Sequence, residues 1–240
     1  MSAAHSVDLG PSATITTSTI HRGLDQRHRE QLFCISSVQT CRAKAVIFHE
    51  GDRSKHLFEV LDGVVKLYRL LPDGRRQITG FVYPGQVFGL DRSHVHTATA
   101  EAIVDARLCG YPLAKLELIT EELPEFALGL LRMITNELAA AHDHMLLLGR
   151  KSATEKISSF PLGLSDRCRD EGEDSMMLHL PMNRANIGDY LGLAIETVSR
   201  TMTWLRQIGV IELHQRHDLR ILDHDRLSVL AEEDASILAV

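Results

Sequence analysis

The stretch NRANIGDYLGLAIETVSRTMTWLRQIG, residues 183–209, contains two helical periods separated by a turn. Ile187, Tyr190 and Leu191 fall on one face of a first helix. Gly192-Leu193 then turns the chain, and Val198, Met202 and Leu205 repeat on one face of a second. Asn183 stands where a side-chain oxygen caps the first helix. The pattern predicts a helix-turn-helix. The opposite face of the second helix carries Glu196, Thr197, Ser199, Arg200 and Thr203, which can donate and accept hydrogen bonds at base edges in a DNA major groove. Beyond Gly209, residues 210–214 and 219–222 are expected to pair as a hairpin across Gln215-Arg216-His217-Asp218, forming a wing.

Glu196-Thr197-Val198-Ser199-Arg200, following Gly192-Leu193, resembles the recognition helix of the Crp/Fnr family of transcription regulators. Ile187-Gly188-Asp189-Tyr190-Leu191-Gly192-Leu193 is similar to the Fnr and FixK branches, and the resemblance runs from about residue 24 to residue 222. In that family the Glu, Ser and Arg of E-T-x-S-R read base edges of a TTGA-type half-site, which puts base readout here on Glu196, Ser199 and Arg200. The chemistry agrees: Arg binds guanine O6 and N7 bidentately, Glu accepts from cytosine N4, and a Ser hydroxyl adapts. Thr197, Arg184, Arg216 and His217 are the expected phosphate contacts. A competing reading makes Glu196 and Arg200, at i and i+4, an ion pair on a solvated face. The turn before them and the wing behind them weigh against it. One local departure is Ala194, which opens the recognition helix without a capping oxygen.

At 240 residues, with 44% hydrophobic and 24% charged content, the chain has the composition of a soluble protein with one large or two small cores. No apolar run reaches a membrane span, and the N-terminus lacks a signal-peptide pattern, so a cytoplasmic protein is expected. The net charge of −6 looks wrong for a DNA binder until it is divided along the chain. Residues 181–220 hold five Arg against four acidic residues, a net +1 that leaves −7 elsewhere. Non-specific affinity should be weak, and binding should depend on dimerisation and base readout.

Between residues 45 and 113 short β-rich runs are punctuated by Gly51, Gly63, Gly74 and Gly85. HLFEVL, VVKLYRL, QITGFVY and ATAEAIVDARL are the expected strands of a sandwich or β-roll. The pattern resembles the family's sensor β-roll. In cyclic-nucleotide-binding members a G-E pair and a later R-S/T-A hold ribose and phosphate. Here those places read Gly89-Leu90-Asp91 and Val95-His96-Thr97-Ala98, so no cyclic nucleotide is expected. Cys34, Cys41, Cys109 and Cys168 form no C-x-x-C pair. Cys34 and Cys41 read as packing residues, and Cys168 as an exposed thiol without activation. Cys109 matches one iron–sulfur ligand position of Fnr, but residues 1–33 contain no cysteine. No cluster of that kind is expected, which favours the FixK branch.

A rival reading takes Gly89, His94, His96, Glu101 and Gly110 as the first cupin metal motif, G-x5-H-x-H-x3,4-E-x6-G. Two spacings fail, with four residues between Gly89 and His94 and eight between Glu101 and Gly110. His94 and His96 then read as solvated loop residues rather than ligands of a cupin-like enzyme. A haem-based gas sensor is a third reading, for which thirteen histidines supply no distinctive spacing.

After Pro124, Leu131, Ile134, Leu138, Ala141, Met145 and Leu148 follow spacings of 3, 4, 3, 4 and 3. One recognition helix reads half a palindrome, so this seam is assigned to a parallel homodimer. Leu130, Met133 and Leu147 are expected to pack on the chain's own β-roll, and Asp143 and His144 to be solvated. The resulting fold class is α+β: a cyclic-nucleotide-binding-like β-roll, a long dimerisation helix and a C-terminal winged helix-turn-helix. The expected divisions are a disordered tail over 1–20, the β-roll over 21–122 after a short helix near 24–33, and the dimerisation helix over 123–150. The DNA-binding domain takes 151–225, with a helix over 153–164, a polar loop over 165–175 and a strand over 176–180, and a tail takes 226–240. Function is therefore expected to be gene regulation without catalysis, cofactor or metal. The expected partners are double-stranded DNA, a second copy of the chain and RNA polymerase, the last at loop 72–76, with no membrane.

Overall fold

The computed structural model describes residues 20, 24–91, 94–170, 172, 174–214 and 218–232. The expected disordered tail over 1–20 lies, apart from Ile20, outside them. The chain divides into two compact units. One takes Met1–Pro72 and Thr79–Leu138, the other Asp73–Ile78 and Ala139–Val240.

In the first unit α1 (Gln26–Ile35) precedes eight strands: β1 (Ser37–Cys41), β2 (Val46–Phe48), β3 (His56–Asp62), β4 (Val65–Leu70), β5 (Arg76–Val82), β6 (Val87–Phe88), β7 (Thr99–Ala102) and β8 (Ala106–Pro112). They form two antiparallel sheets, ordered β1-β8-β3-β6 and β2-β7-β4-β5. Val60, Val65, Val82, Phe88, Ala100, Ala102 and Leu108 form one buried cluster. Leu57, Cys109 and Tyr111, from β3 and β8, form another with Leu32 of α1 and with Leu116 and Ile119 of α2 (Leu113–Glu122). Alternate side chains of β3 thus enter different clusters, as the period-two geometry of a strand requires. Both clusters bury β-branched and aromatic side chains at roughly 1.5–3 kcal/mol each.

Five parts of this unit differ from the sequence expectation. The expected strand ATAEAIVDARL is two strands, β7 and β8, parted by a turn at 103–105 where Asp105 Oδ1 accepts from the Ala43 amide at 2.7 Å. β1, β2, β6 and α2 are additions. β1 is mostly exposed and held by its ladder to β8, from Ser37 opposite Gly110 to Cys41 opposite Ala106, so it carries no burial alternation to read.

The helix α3 (Pro124–Arg150) begins in the first unit and ends in the second. It is followed by α4 (Ala153–Asp170), β9 (Met177–His179), α5 (Arg184–Leu191), α6 (Ile195–Gln207), β10 (Ile211–His214), β11 (Asp218–Ile221) and α7 (His224–Glu232). The wing forms as expected, with Ile211 opposite Ile221 and His214 opposite Asp218, and β9 completes a sheet ordered β10-β11-β9.

Two boundaries are corrected. The polar run from Ser165 continues α4 to Asp170: Ser165 is fully buried, Arg169 pairs with Asp166 at 3.2 Å one turn back, and Gly172 at φ +78 follows the helix end. The expected tail after residue 225 is helical as far as Glu232. Asp223 caps it by accepting from the Arg226 amide at 2.9 Å, and Leu227, Leu230 and Ala231 are buried. Both the cap and the apolar spacing are present in the sequence and mark a helix rather than a chain end.

The start of α6 is at Ala194, with extended dihedrals of −65° and 145° and no side-chain cap. Ala194→Thr adds the missing acceptor at a site already in cap geometry and should stabilise the fold by about 1 kcal/mol. Calorimetry should give a higher Tm; an unchanged or lower value would contradict this helix start.

Candidate nucleic-acid interface

The helix-turn-helix is built from the cap inward. Asn183 Oδ1 accepts from the Asn186 amide at 2.9 Å and starts α5, whose Ile187 and Leu191 are buried. Gly192 ends the helix in the left-handed region at φ +65, a conformation glycine adopts without a Cβ clash. Gly188 is needed for a different reason: a Cβ there would lie 2.6 Å from the Leu193 carbonyl oxygen. The Leu193 amide donates back to the Gly188 carbonyl at 2.9 Å, closing the turn.

On α6, Val198, Met202 and Leu205 are buried to within 1%. The other face is open: Glu196, Ser199, Arg200 and Thr203 are exposed and Thr197 is half-buried. Thr203 Oγ1 donates to the Ser199 carbonyl at 2.8 Å. Among the described residues no ion pair joins Glu196 to Arg200, so both heads are available to a ligand. Glu196 lies in the first turn, where the helix dipole favours an acid.

The weaker contacts are distributed differently. Arg184, at the first position of α5, is half-buried, and burial pushes its guanidinium below its ordinary pKa. Arg216 and His217 lie outside the described residues.

Along α3 the heptad positions Leu131, Ile134, Leu138 and Met145 are 54, 45, 54 and 59% exposed, and Ala141 is exposed beside them. Large apolar side chains left bare in one row are what a partner helix covers. Leu148 departs from the row. It is half-buried, with Cδ2 3.5 Å from where a Gly192 Cβ would stand. Leu130 and Met133 pack on the first unit's core as expected.

His144 is not solvated. Its ring lies flat on Tyr190, centroids 4.0 Å apart and planes 12° apart, and its Nε2–H donates to the Tyr190 carbonyl at 2.9 Å. Sequence reasoning missed it because a histidine next to a seam carries no signal of what lies beside the helix.

The first unit holds a cavity of about 350 Å³ lined by Phe48, Leu67, Phe88, Leu90, Met133 and Ile134 together with Asp91, Thr97 and Glu137. No Lys or Arg among the described residues lines it, and Arg92 lies outside them. His96 is buried rather than solvated. It stacks on Phe48 at 3.5 Å, and its Nδ1 meets Asp91 Oδ2 at 2.8 Å. The cupin positions do not converge: His94 is exposed, and Glu101 is bound to Lys66 at 2.8 Å. Among the described residues no group of three His, Cys, Asp or Glu could hold a metal.

The cysteines differ from expectation in two places. Cys34 is exposed, while Cys168 is half-buried in α4. Cys109 is buried, and desolvation pushes its thiol up. No described helix is long and apolar enough to cross a membrane.

Known proteins share both halves of this architecture. Residues 38–122 match the family model of the cyclic nucleotide-binding domain, and residues 155–230 that of the Crp-like helix-turn-helix domain. The chain is 38% identical over 217 residues to the nitrogen fixation regulation protein FixK of Bradyrhizobium diazoefficiens, covering 90% of this chain and 91% of that one. It is 39% identical over 189 residues to the transcriptional activatory protein AadR of Rhodopseudomonas palustris, covering 78% of each. The solved structure of FixK2 from Bradyrhizobium japonicum superposes with a TM-score of 0.77 at 37% identity, covering 82% of this chain and 97% of that one.

Burial lowers the His144 pKa, against the Tyr190 carbonyl, which raises it, and with the Lys156 charge, which lowers it further. The folded state therefore binds fewer protons here than the unfolded chain once pH falls below the ordinary imidazole value of about 6.5. Stability from this site is complete above that value and is lost as pH falls through the depressed pKa. Thermal unfolding from about pH 7.5 to about pH 5.5 should cost the native protein more than His144→Phe; equal losses would contradict the shift.

Proposed function

The chain belongs to the Crp/Fnr family of transcription regulators, which bind DNA and act as dimers, and on that premise we propose a FixK-like activator of low-oxygen, denitrification or nitrogen-fixation genes. It binds a TTGAT-like inverted repeat, one recognition helix per major groove, with half-sites about one DNA turn apart. The observation that carries this reading is the exposed row Glu196, Ser199 and Arg200 on α6, a helix whose opposite face is wholly buried. Arg200 reads guanine, Glu196 reads cytosine and Ser199 adapts to its neighbour, while Thr197, Arg184, Arg216 and His217 meet phosphate.

The protein works in the cytoplasm and contacts RNA polymerase through the exposed part of loop 72–76, where Asp73 and Arg75 pair with each other at 2.7 Å. It is a regulator without catalysis. It uses neither an iron–sulfur cluster nor a cyclic nucleotide. Asp91 and Glu137 at the β-roll cavity repel a cyclic phosphate, and Asp91 already holds His96 and Thr97.

Arg200→Ala should weaken binding to a TTGAT-n4-ATCAA duplex by about 1–3 kcal/mol for each guanine that Arg200 reads, while sedimentation still reports a dimer. Ile134→Asp should instead abolish dimer and binding together. Operator binding retained by Arg200→Ala would refute the readout assignment. Calorimetry with cyclic AMP should give no heat of binding; micromolar affinity would overturn the reading of the cavity.

A further inference from the structure

Tyr190 sits near the end of α5, where helix carbonyls run out of intrahelical donors. Its carbonyl accepts from two side chains distant in sequence, His144 Nε2 at 2.9 Å and Gln77 Nε2 at 3.2 Å. Both belong to the second unit, which includes Asp73–Ile78 as well as Ala139–Val240. The Tyr190 ring is held as well, stacked on His144 and met by Phe160 at 5.9 Å and 60°. At the preceding residue Arg76 Nε donates to Asp189 Oδ2 at 2.7 Å, and one turn earlier Arg76 Nη2 donates to Asn186 Oδ1 at 3.2 Å. Three positions on an eight-residue helix are therefore gripped from outside it.

We infer that His144 is a positioning residue for DNA binding: it pins the first helix of the helix-turn-helix to the dimerisation helix and so sets where the recognition helix stands. The inference rests on the operator reading proposed above. A stacked ring fixes the plane of the contact and a hydrogen bond fixes its direction, so together they leave α5 little freedom to slide or rotate against α3. The Gly188–Leu193 close approach passes that constraint to α6. In a dimer each recognition helix is referred to its own copy of α3. Slack at Tyr190 then becomes slack in the distance between two half-sites.

The test uses the full chain and the variants His144→Phe, which keeps a flat ring and loses the donor, and His144→Gln, which keeps a donor. Hydrogen exchange without DNA is measured across residues 188–205, together with affinity for TTGAT-n4-ATCAA and for duplexes whose spacer is one base pair shorter or longer. His144→Phe should exchange several-fold faster, bind the n4 duplex about three- to tenfold more weakly and discriminate less between spacers, as loss of one hydrogen bond allows. His144→Gln should restore all three, with the dimer unchanged throughout. Exchange unaltered in His144→Phe, or equal loss in both variants, overturns the inference. If the native protein does not distinguish its operator from a scrambled duplex, the operator reading falls, and the DNA-free exchange comparison still decides the role of His144.

Discussion

The placement of the recognition helix depends on one steric constraint, the approach of the α5 backbone to the turn that follows it. At Gly188 there is no room for a Cβ, which would come within 2.6 Å of the Leu193 oxygen, and the Leu193 amide closes a 2.9 Å hydrogen bond across the same gap. Gly192 supplies the left-handed residue the turn requires. The two helices are therefore packed as one block. Burial of Val198, Met202 and Leu205, at roughly 1.5–3 kcal/mol each, seats the block and leaves the opposite row of polar side chains facing out.

That part of the molecule is legible in the sequence because every level of it agrees there. The cap at Asn183, the apolar periods, Gly192 and the hairpin behind them all point to one local structure. The apolar row on α3 is exposed where its alternating spacing of three and four residues puts it, from Leu131 to Met145, while Leu148 leaves the row for the side of Gly192. Where signals conflict, the reading fails. The run after Ser165 looks like a loop because its charges outnumber its apolar residues, yet charges at helical spacing support a helix as readily as they solvate one. β1 has no alternation because its faces are mostly open, and its existence is decided by β8. His144 and His96 show the other limit. Each reads as a solvated residue in the sequence, and each is engaged by a ring and a polar atom brought close only by the fold.

The first unit matches the family model of the cyclic nucleotide-binding domain, and the side chains that line its cavity set what that cavity can hold. Apolar side chains dominate the wall, and the charged groups described there, Asp91 and Glu137, are acids. Asp91 is committed internally: it accepts from the Thr97 amide at 3.1 Å and hydroxyl at 2.8 Å, and it meets His96 Nδ1 at 2.8 Å. Those bonds join Asp91 to His96 and Thr97. A shared fold does not fix what its cavity binds; the side chains of the site do.

Charge decides how such a reader can work. A DNA-binding region of net +1 in a chain of net −6 gains little from the counterion release that dominates non-specific association. Affinity must then come from base contacts, and one short helix reaches few bases. Coupling two copies makes the second contact intramolecular and raises the overall affinity without a new interaction. The exposed row Leu131, Ile134, Leu138 and Met145 has the spacing and the apolar surface such a coupling needs, since leaving it bare in water is unfavourable. The same contact stabilises the fold by mass action, so stability and operator affinity rise together with protein concentration. For a protein of this charge, abundance is itself a physical input to DNA binding.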